Sequence, residues 1–216
     1  MIKAVLWDFG GVLTSSPFEA FTRYEQANGL PVDFIRSINA TNPDTNAWAQ
    51  FESNQMSVAA FDAAFAAESE ARGHLIRGQS VLALLSGDIR PRMVQALKQI
   101  KQTHAVGCIT NNVKSGQGAG MARSESKAQA VAEVMALFDT VIESSLVGIR
   151  KPNPEIYLMA CRAMSIEPTE ALFIDDLGIN LKPAKALGMT TIKVLNEAQA
   201  LHDLSAALDL VLPSQA

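Results

Sequence analysis

Five short apolar runs, each followed by an amphipathic stretch, constrain the fold of this chain more than any other feature. The runs are Val5-Leu6-Trp7, Ala105-Val106-Gly107-Cys108-Ile109, Thr140-Val141-Ile142, Ala171-Leu172-Phe173-Ile174 and Thr190-Thr191-Ile192-Lys193-Val194. Continuous apolar runs of this length suit strands covered on both faces, as in a parallel sheet under helices. The amphipathic stretches, near 91–103, 123–137, 154–165, 180–187 and 197–209, supply those helices. Such alternation predicts an α/β fold, a Rossmann-like doubly wound parallel sheet. With 216 residues, 48% of them apolar, the chain can bury that core and carry one smaller inserted domain.

The alternation lapses after the first run. Residues 16–87 show no strand pattern and several helix signals. Ser57 suits an N-cap, Phe61 and Phe65 lie four apart on one helical face, and Gly73 suits a stop. Asn42-Pro43-Asp44 and Arg77-Gly78 read as breaks between helices. The expected organisation is a catalytic core from residues 1–15 and 88–216, with a small helical cap domain over 16–87. Open α/β sheets bind ligands beyond the carboxyl ends of their strands, so this insertion would lie over the site. The glycine-rich segment 114–120 lacks the G-x-G-x-x-G spacing of a dinucleotide site and reads as a mobile loop.

Polar residues cluster where three of the runs stop. Asp8 ends the first and leads into Phe9-Gly10-Gly11-Val12-Leu13-Thr14. Thr110-Asn111-Asn112 ends the second. Asp175-Asp176, with Asn180 soon after, ends the fourth. Singly, each has an ordinary reading as a helix cap, a strand threonine or a solvated acidic turn. A parallel sheet brings equivalent strand ends to one crevice, and there they combine. A carboxylate attacking a phosphate meets like-charge repulsion, so a divalent cation and fixed donors are needed. Asp8 can supply the nucleophile. Asp175 and Asp176 repel one another unless separated, protonated or cation-bound, and can anchor a hard ion. Gly10 and Gly11 let the main chain approach ligand and metal closely. Thr110 and Asn111 can donate to phosphate oxygens. Lys151, in Gly148-Ile149-Arg150-Lys151-Pro152-Asn153-Pro154, precedes a helix and can neutralise negative charge.

At these residues the sequence resembles the haloacid dehalogenase-like superfamily. Its four motifs are a strand ending in a nucleophilic Asp, a strand ending in Thr or Ser, a Lys before a helix, and an acidic pair after a fourth strand. The resemblance covers nearly the whole chain, with the inserted helices where that family carries its cap. It is closest to the amino-terminal phosphatase domain of soluble epoxide hydrolases. Val141-Ile142-Glu143-Ser144 through Lys151-Pro152-Asn153-Pro154-Glu155-Ile156-Tyr157 and Phe173-Ile174-Asp175-Asp176-Leu177-Gly178-Ile179-Asn180 carry that likeness. It implies a magnesium-dependent phosphatase acting on a small phosphorylated metabolite through an aspartyl-phosphate. By the same resemblance Asp8 is phosphorylated with Lys151 beside it, while Phe9, Gly10, Thr110, Asn111 and Lys151 hold phosphate or substrate. Asp8, the Gly10 carbonyl, Asp176 and neighbouring Asp175 would hold Mg2+.

Gly10 departs from the pattern. Family phosphatases usually carry a second Asp there, which protonates the leaving oxygen and later activates water; losing such a group costs about 10²–10⁴ in rate. Three outcomes are open. The substrate has a good leaving group, such as an anomeric sugar phosphate or an acyl phosphate; a cap residue supplies the proton, Glu19 and Glu52 being the ones to test; or the chain binds phosphate ligands without useful turnover. Haloacid dehalogenation, a further alternative, needs no magnesium and generally proceeds without an acidic pair such as Asp175-Asp176.

The remaining composition narrows the partners. A net charge of -4 and a pI near 5.4 argue against nucleic acid. No apolar stretch approaches the ~18 residues that span a bilayer, and the start of the chain lacks signal-peptide features. Cys108 and Cys161, each in an apolar stretch, read as buried reduced thiols. The expectation is a cytoplasmic protein without nucleic-acid or membrane partners. Trp48, Phe51, Phe61 and Phe65 read as cap core, and Phe18 and Phe21 as residues facing the crevice.

Overall fold

The computed structural model describes residues 1–112 and 125–213. The glycine-rich segment 114–120 and the start of the helix expected from 123 lie outside the described residues. After strand β1 (Ala4–Trp7) come helices α1 (Pro17–Ala27), α2 (Phe34–Ala40), α3 (Ala47–Glu52), α4 (Val58–Glu70) and α5 (Gly78–Leu82). The chain continues through α6 (Pro91–Ile100), β2 (Ala105–Thr110), α7 (Glu125–Met135), β3 (Thr140–Glu143), α8 (Ser144–Val147) and α9 (Pro154–Ala163). It ends with β4 (Ala171–Asp175), α10 (Gly178–Ala186), β5 (Thr190–Lys193) and α11 (Glu197–Leu208). Each expected strand is present to within one residue at either end.

Among the described residues every strand pairing of the sheet is parallel, and the strand order is β3-β2-β1-β4-β5. The order therefore reverses at β1, and the crevice of such a switch point opens at its carboxyl end, where Asp8 stands. Side chains alternate across a strand. Val5, Trp7, Val106, Cys108, Leu172 and Ile174 thus share one face, covered by α6, α7 and α11. Leu6, Ile109 and Phe173 share the other, covered by α9 and α10. Helix α6 shows why it docks: its buried residues Met93, Ala96, Leu97 and Ile100 recur at helical spacing along one stripe. Cys108 and Cys161 are free and buried.

The helices between β1 and α6 have a core of their own. Phe61 stacks on Phe51 at 4.5 Å between ring centroids and touches Phe65 at 5.5 Å. Side-chain caps start three of these helices: Ser16 accepts from the Phe18 N–H, Asn46 from that of Ala49 and Ser57 from that of Ala60. The chain leaves for this insertion and returns from it side by side. Thr14 bridges Ile89, the Ser15 N–H donates to the Asp88 carbonyl at 2.8 Å, and the Arg90 N–H donates to the Leu13 carbonyl at 2.8 Å. Among the described residues no helix is long and apolar enough to cross a membrane.

Candidate active site

Three strand ends and one loop converge at the mouth of the switch point. Asp8 follows β1, and its Oδ1 accepts from the Phe9 N–H at 2.7 Å and lies 2.8 Å from Lys151 Nζ. Lys151 comes from the loop between α8 and α9, and is 1% exposed. Its ammonium also donates to Asp175 Oδ2 at 2.8 Å, bridging the two carboxylates. Its main chain is held on both sides by Asn111: the Lys151 N–H donates to Asn111 Oδ1 at 2.9 Å, and Asn111 Nδ2 donates to the Lys151 carbonyl at 3.0 Å. An amide nitrogen has two hydrogens, so this bond leaves one for the cavity that Asn111 also lines.

Asp175, the last residue of β4, is fully buried. Its oxygens accept from Lys151, from the Leu177 N–H at 2.7 Å, and from Asn180 Nδ2 at 3.1 and 3.0 Å. Asn180 is fixed in turn by Tyr157, whose hydroxyl donates to the Asn180 carbonyl at 2.7 Å. The sequence reading put Asp175 beside Asp176 as a cation ligand. In the structure its lone pairs are engaged by these donors, an arrangement suited to aiming Lys151. Asp176 is the less committed of the pair, with the Ser16 hydroxyl donating to its Oδ2 at 3.4 Å.

Ligand oxygens of Asp8, Asp175 and Asp176 all lie within 4.8 Å of one another. One ammonium thus faces three carboxylates, and the cluster holds an excess of negative charge away from water. Burial pushes the Asp8 carboxyl well above its ordinary value; Lys151 pulls it back, and Asp175 and Asp176 push it up again. Burial, then the charge of Asp175, raises Asp176 to about 6. Burial alone would lower Lys151, but Asp175 and Asp8 outweigh it and hold the ammonium above its ordinary value. Hard carboxylate oxygens crowded together with too little positive charge are a donor set that fits a divalent cation such as Mg2+.

Asp8 and Asp176 line a cavity of about 520 Å³, as do Gly10, Thr110, Asn111 and Lys151, while Asp175 lies buried behind it. Phe9 lines it while its ring packs in the sheet core, so its N–H on Asp8 is its contribution to the site. A Cβ built on Gly10 meets nothing within 4 Å, whereas one on Gly11, at φ +76°, would lie 2.2 Å from Asp176 Oδ2. Gly11 is therefore the glycine the site requires.

The insertion supplies part of the walls, and Arg150, Pro152, Leu177 and Ile179 supply more. Phe18 and Phe21 line the cavity as expected. Trp48, expected in the cap core, does both: it meets Phe61 edge-on at 5.6 Å and lines the cavity. The two acids proposed to replace the one missing at Gly10 part company. Glu19 is exposed on α1 and lies off the cavity wall. Glu52 lines the cavity, but its Oε2 is bound 2.6 Å from Arg150 Nη1. Burial raises its carboxyl against the pull of that arginine. Arg150 was missed at the sequence level. Its only signal was its place next to Lys151, and its partners are about a hundred residues away.

The chain is 33% identical over 214 residues to bifunctional epoxide hydrolase 2 of Mus musculus, covering 94% of this chain and 38% of that protein. It is 28% identical over 226 residues to phosphatase MT3486 of Mycobacterium tuberculosis, covering 96% and 97% of the two chains. It spans 19% of acyl-CoA dehydrogenase family member 10 of Mus musculus, at 32% identity, so it matches a minor part of these two mouse relatives. A solved enzyme from Bacteroides thetaiotaomicron, in complex with magnesium and inorganic phosphate, shares the fold. Its TM-score is 0.57 at 23% identity, covering 89% of this chain and 94% of that one. A family model described as haloacid dehalogenase-like hydrolase matches residues 2–188, and the chain belongs to that family.

Proposed function

We propose that the chain is a magnesium-dependent phosphatase that hydrolyses a small phosphorylated metabolite through an aspartyl-phosphate on Asp8. One observation carries this reading: Asp8, Asp176 and Lys151 line one cavity at the strand ends, with Asp175 bound to the lysine ammonium. A haloacid dehalogenase would have no use for a crowded carboxylate trio. The likeness along nearly the full length of phosphatase MT3486 supports the choice. In this reading residues 16–87 act as the cap that closes over the core formed by 1–15 and 88–216.

The residues divide the work as follows. Asp8 attacks phosphorus and the bond to the leaving oxygen breaks. Lys151, Thr110 and the free hydrogen of Asn111 stabilise charge on the phosphoryl oxygens. Asp8, Asp176 and the Gly10 carbonyl would hold magnesium, which when bound offsets charge on the carboxylates and the phosphate. Water then cleaves the aspartyl-phosphate. Gly10 brings no acid to the leaving oxygen, so the substrates favoured are those whose leaving group needs little protonation, such as anomeric sugar phosphates and acyl phosphates. A second reading, phosphate-ligand binding with weak turnover, also rests on Gly10.

The test is phosphate release from an aryl phosphate and from a panel of sugar and acyl phosphates, with magnesium and with EDTA. The expected result is turnover that disappears with EDTA and in Asp8→Asn. Magnesium-dependent ligand binding with no turnover above Asp8→Asn would select the second reading.

A further inference from the structure

The loop that carries Lys151 is tied down in three places. Asn111 grips its main chain, and Asp8 and Asp175 grip its ammonium; these three residues stand at the carboxyl ends of β2, β1 and β4. The third tie belongs to the insertion. Arg150, adjacent to Lys151 in the chain, reaches up with Nη1 2.6 Å from Glu52 Oε2 on α3, while its Nη2 donates to the Pro43 carbonyl. The ion pair is largely shielded, its side chains 19% and 10% exposed, and both residues line the cavity that contains Asp8. A charge-assisted bond of this kind is directional, and withdrawing one partner strands a poorly solvated charge on the other. Displacing α3 therefore pulls on the residue next to Lys151, in a loop whose remaining ties hold it to the sheet.

We propose that Arg150 is a positioning residue: its bonds to Glu52 and Pro43 register the inserted helices against the Lys151 loop, so that the phosphate-holding set is complete when the insertion is closed. This rests on the phosphatase reading for its kinetic consequence and not for its structural one. It also gives Glu52 a role other than that of replacement acid.

The test uses the full chain and the variants Arg150→Met, Arg150→Lys, Glu52→Gln and Arg150→Met/Glu52→Gln, with magnesium and 4-nitrophenyl phosphate. A misplacement of about 1 Å in a reacting constellation costs on the order of 100-fold. Arg150→Met is accordingly expected to lose about 10- to 100-fold in kcat with little change in KM, Glu52→Gln less, and the double variant no more than Arg150→Met. Arg150→Lys recovers part of the loss. Independently of turnover, amide exchange at Lys151 and Asn153 quickens in Glu52→Gln, whose side chain reaches that loop through Arg150. Should Arg150→Met fail to fold, Glu52→Gln makes the same comparison. Unchanged exchange at these amides overturns the proposal, as do losses that add in the double variant. If the wild-type chain turns over no phosphate ester, the phosphatase reading falls and the exchange measurement still decides the clamp.

Discussion

Replacing Gly11 with alanine would put a methyl group where the Asp176 carboxylate stands. On the existing main chain its Cβ would lie 2.2 Å from Oδ2 and 2.6 Å from Cγ of Asp176, where ordinary contact begins at 3.4 Å. The loop has little room to give: Arg90 Nη1 donates to the Gly11 carbonyl at 2.8 Å and the Arg90 N–H holds Leu13. What yields is the end of the Asp176 side chain, by about 1 Å, several times the ~0.2 Å tolerance of a metal–ligand distance. A left-handed backbone adds about 1–2 kcal/mol for an L-residue, at roughly 2–4 °C per kcal/mol for a chain of this size. The variant should therefore fold, melt several degrees lower, and need about 10- to 100-fold more magnesium for half-maximal phosphate release, the range seen when a ligand's support is removed. Gly178→Ala is the control: it opens α10, its backbone is ordinary, and its added Cβ meets nothing within 4 Å. The assays are magnesium titrations of activity and thermal melts with and without the ion. A folded Gly11→Ala protein with the wild-type magnesium response would refute the argument that the Asp176 carboxylate sets the cation site.

Three further outcomes are expected. Gly10→Asp fills open space and supplies the missing acid, so turnover of alkyl phosphates should rise by about 10²–10⁴ while aryl phosphates gain little; steady-state comparison of the two ester classes checks this, and equal gains count against it. Lys151→Met leaves Asp8 and Asp175 without their shared cation, and should abolish turnover and cost about 3–5 kcal/mol by denaturant titration, with magnesium restoring part of the stability; an unchanged midpoint contradicts it. Finally, the folded chain holds the Asp176 proton to about pH 6, against an ordinary carboxyl value of 3.8, and so binds more protons than the unfolded chain between them. The stability this group contributes is full below the lower value and lost as pH rises through the upper one. Metal-free protein in EDTA should therefore lose stability between about pH 4 and 6 from this group, magnesium should flatten the loss, and identical profiles with and without the ion would oppose the assignment.

The sheet was legible because its strands are covered on both faces. All four residues of β1 and all five of β4 are buried, and a run without polar interruption is the trace this leaves. Edge strand β5, with Thr190 and Lys193 exposed, was found through its β-branched residues instead. The strand-end residues Asp8, Thr110 and Asp176 were legible for the same reason: topology alone delivers them to one crevice. What the sequence could not disclose is how each polar group spends its hydrogen bonds. Asp175 and Asp176 are chemically alike and adjacent, yet Asn180, Leu177 and Lys151 occupy the first and a single hydroxyl reaches the second. Asn111 looked like a phosphate donor, and its carbonyl end and one amide hydrogen belong to the Lys151 main chain. Glu19 and Glu52 looked equivalent until α1 turned one to solvent and Arg150 captured the other. Partnerships across a hundred residues leave no periodic mark.

The paired strands of chain at Thr14 and Ile89 have an engineering corollary. Because departure and return are stitched together within one bridge, the sheet bears the closure entropy of that junction and not of the helices beyond it. The helical lobe is in effect a graft on a stalk. It should accept replacement by another lobe, or shortening to a tight turn, with strand β1 left in register; the pruned protein would keep the bonds of Asn111, Asp8 and Asp175 to Lys151 and lose the hold of Glu52 and Pro43 on Arg150.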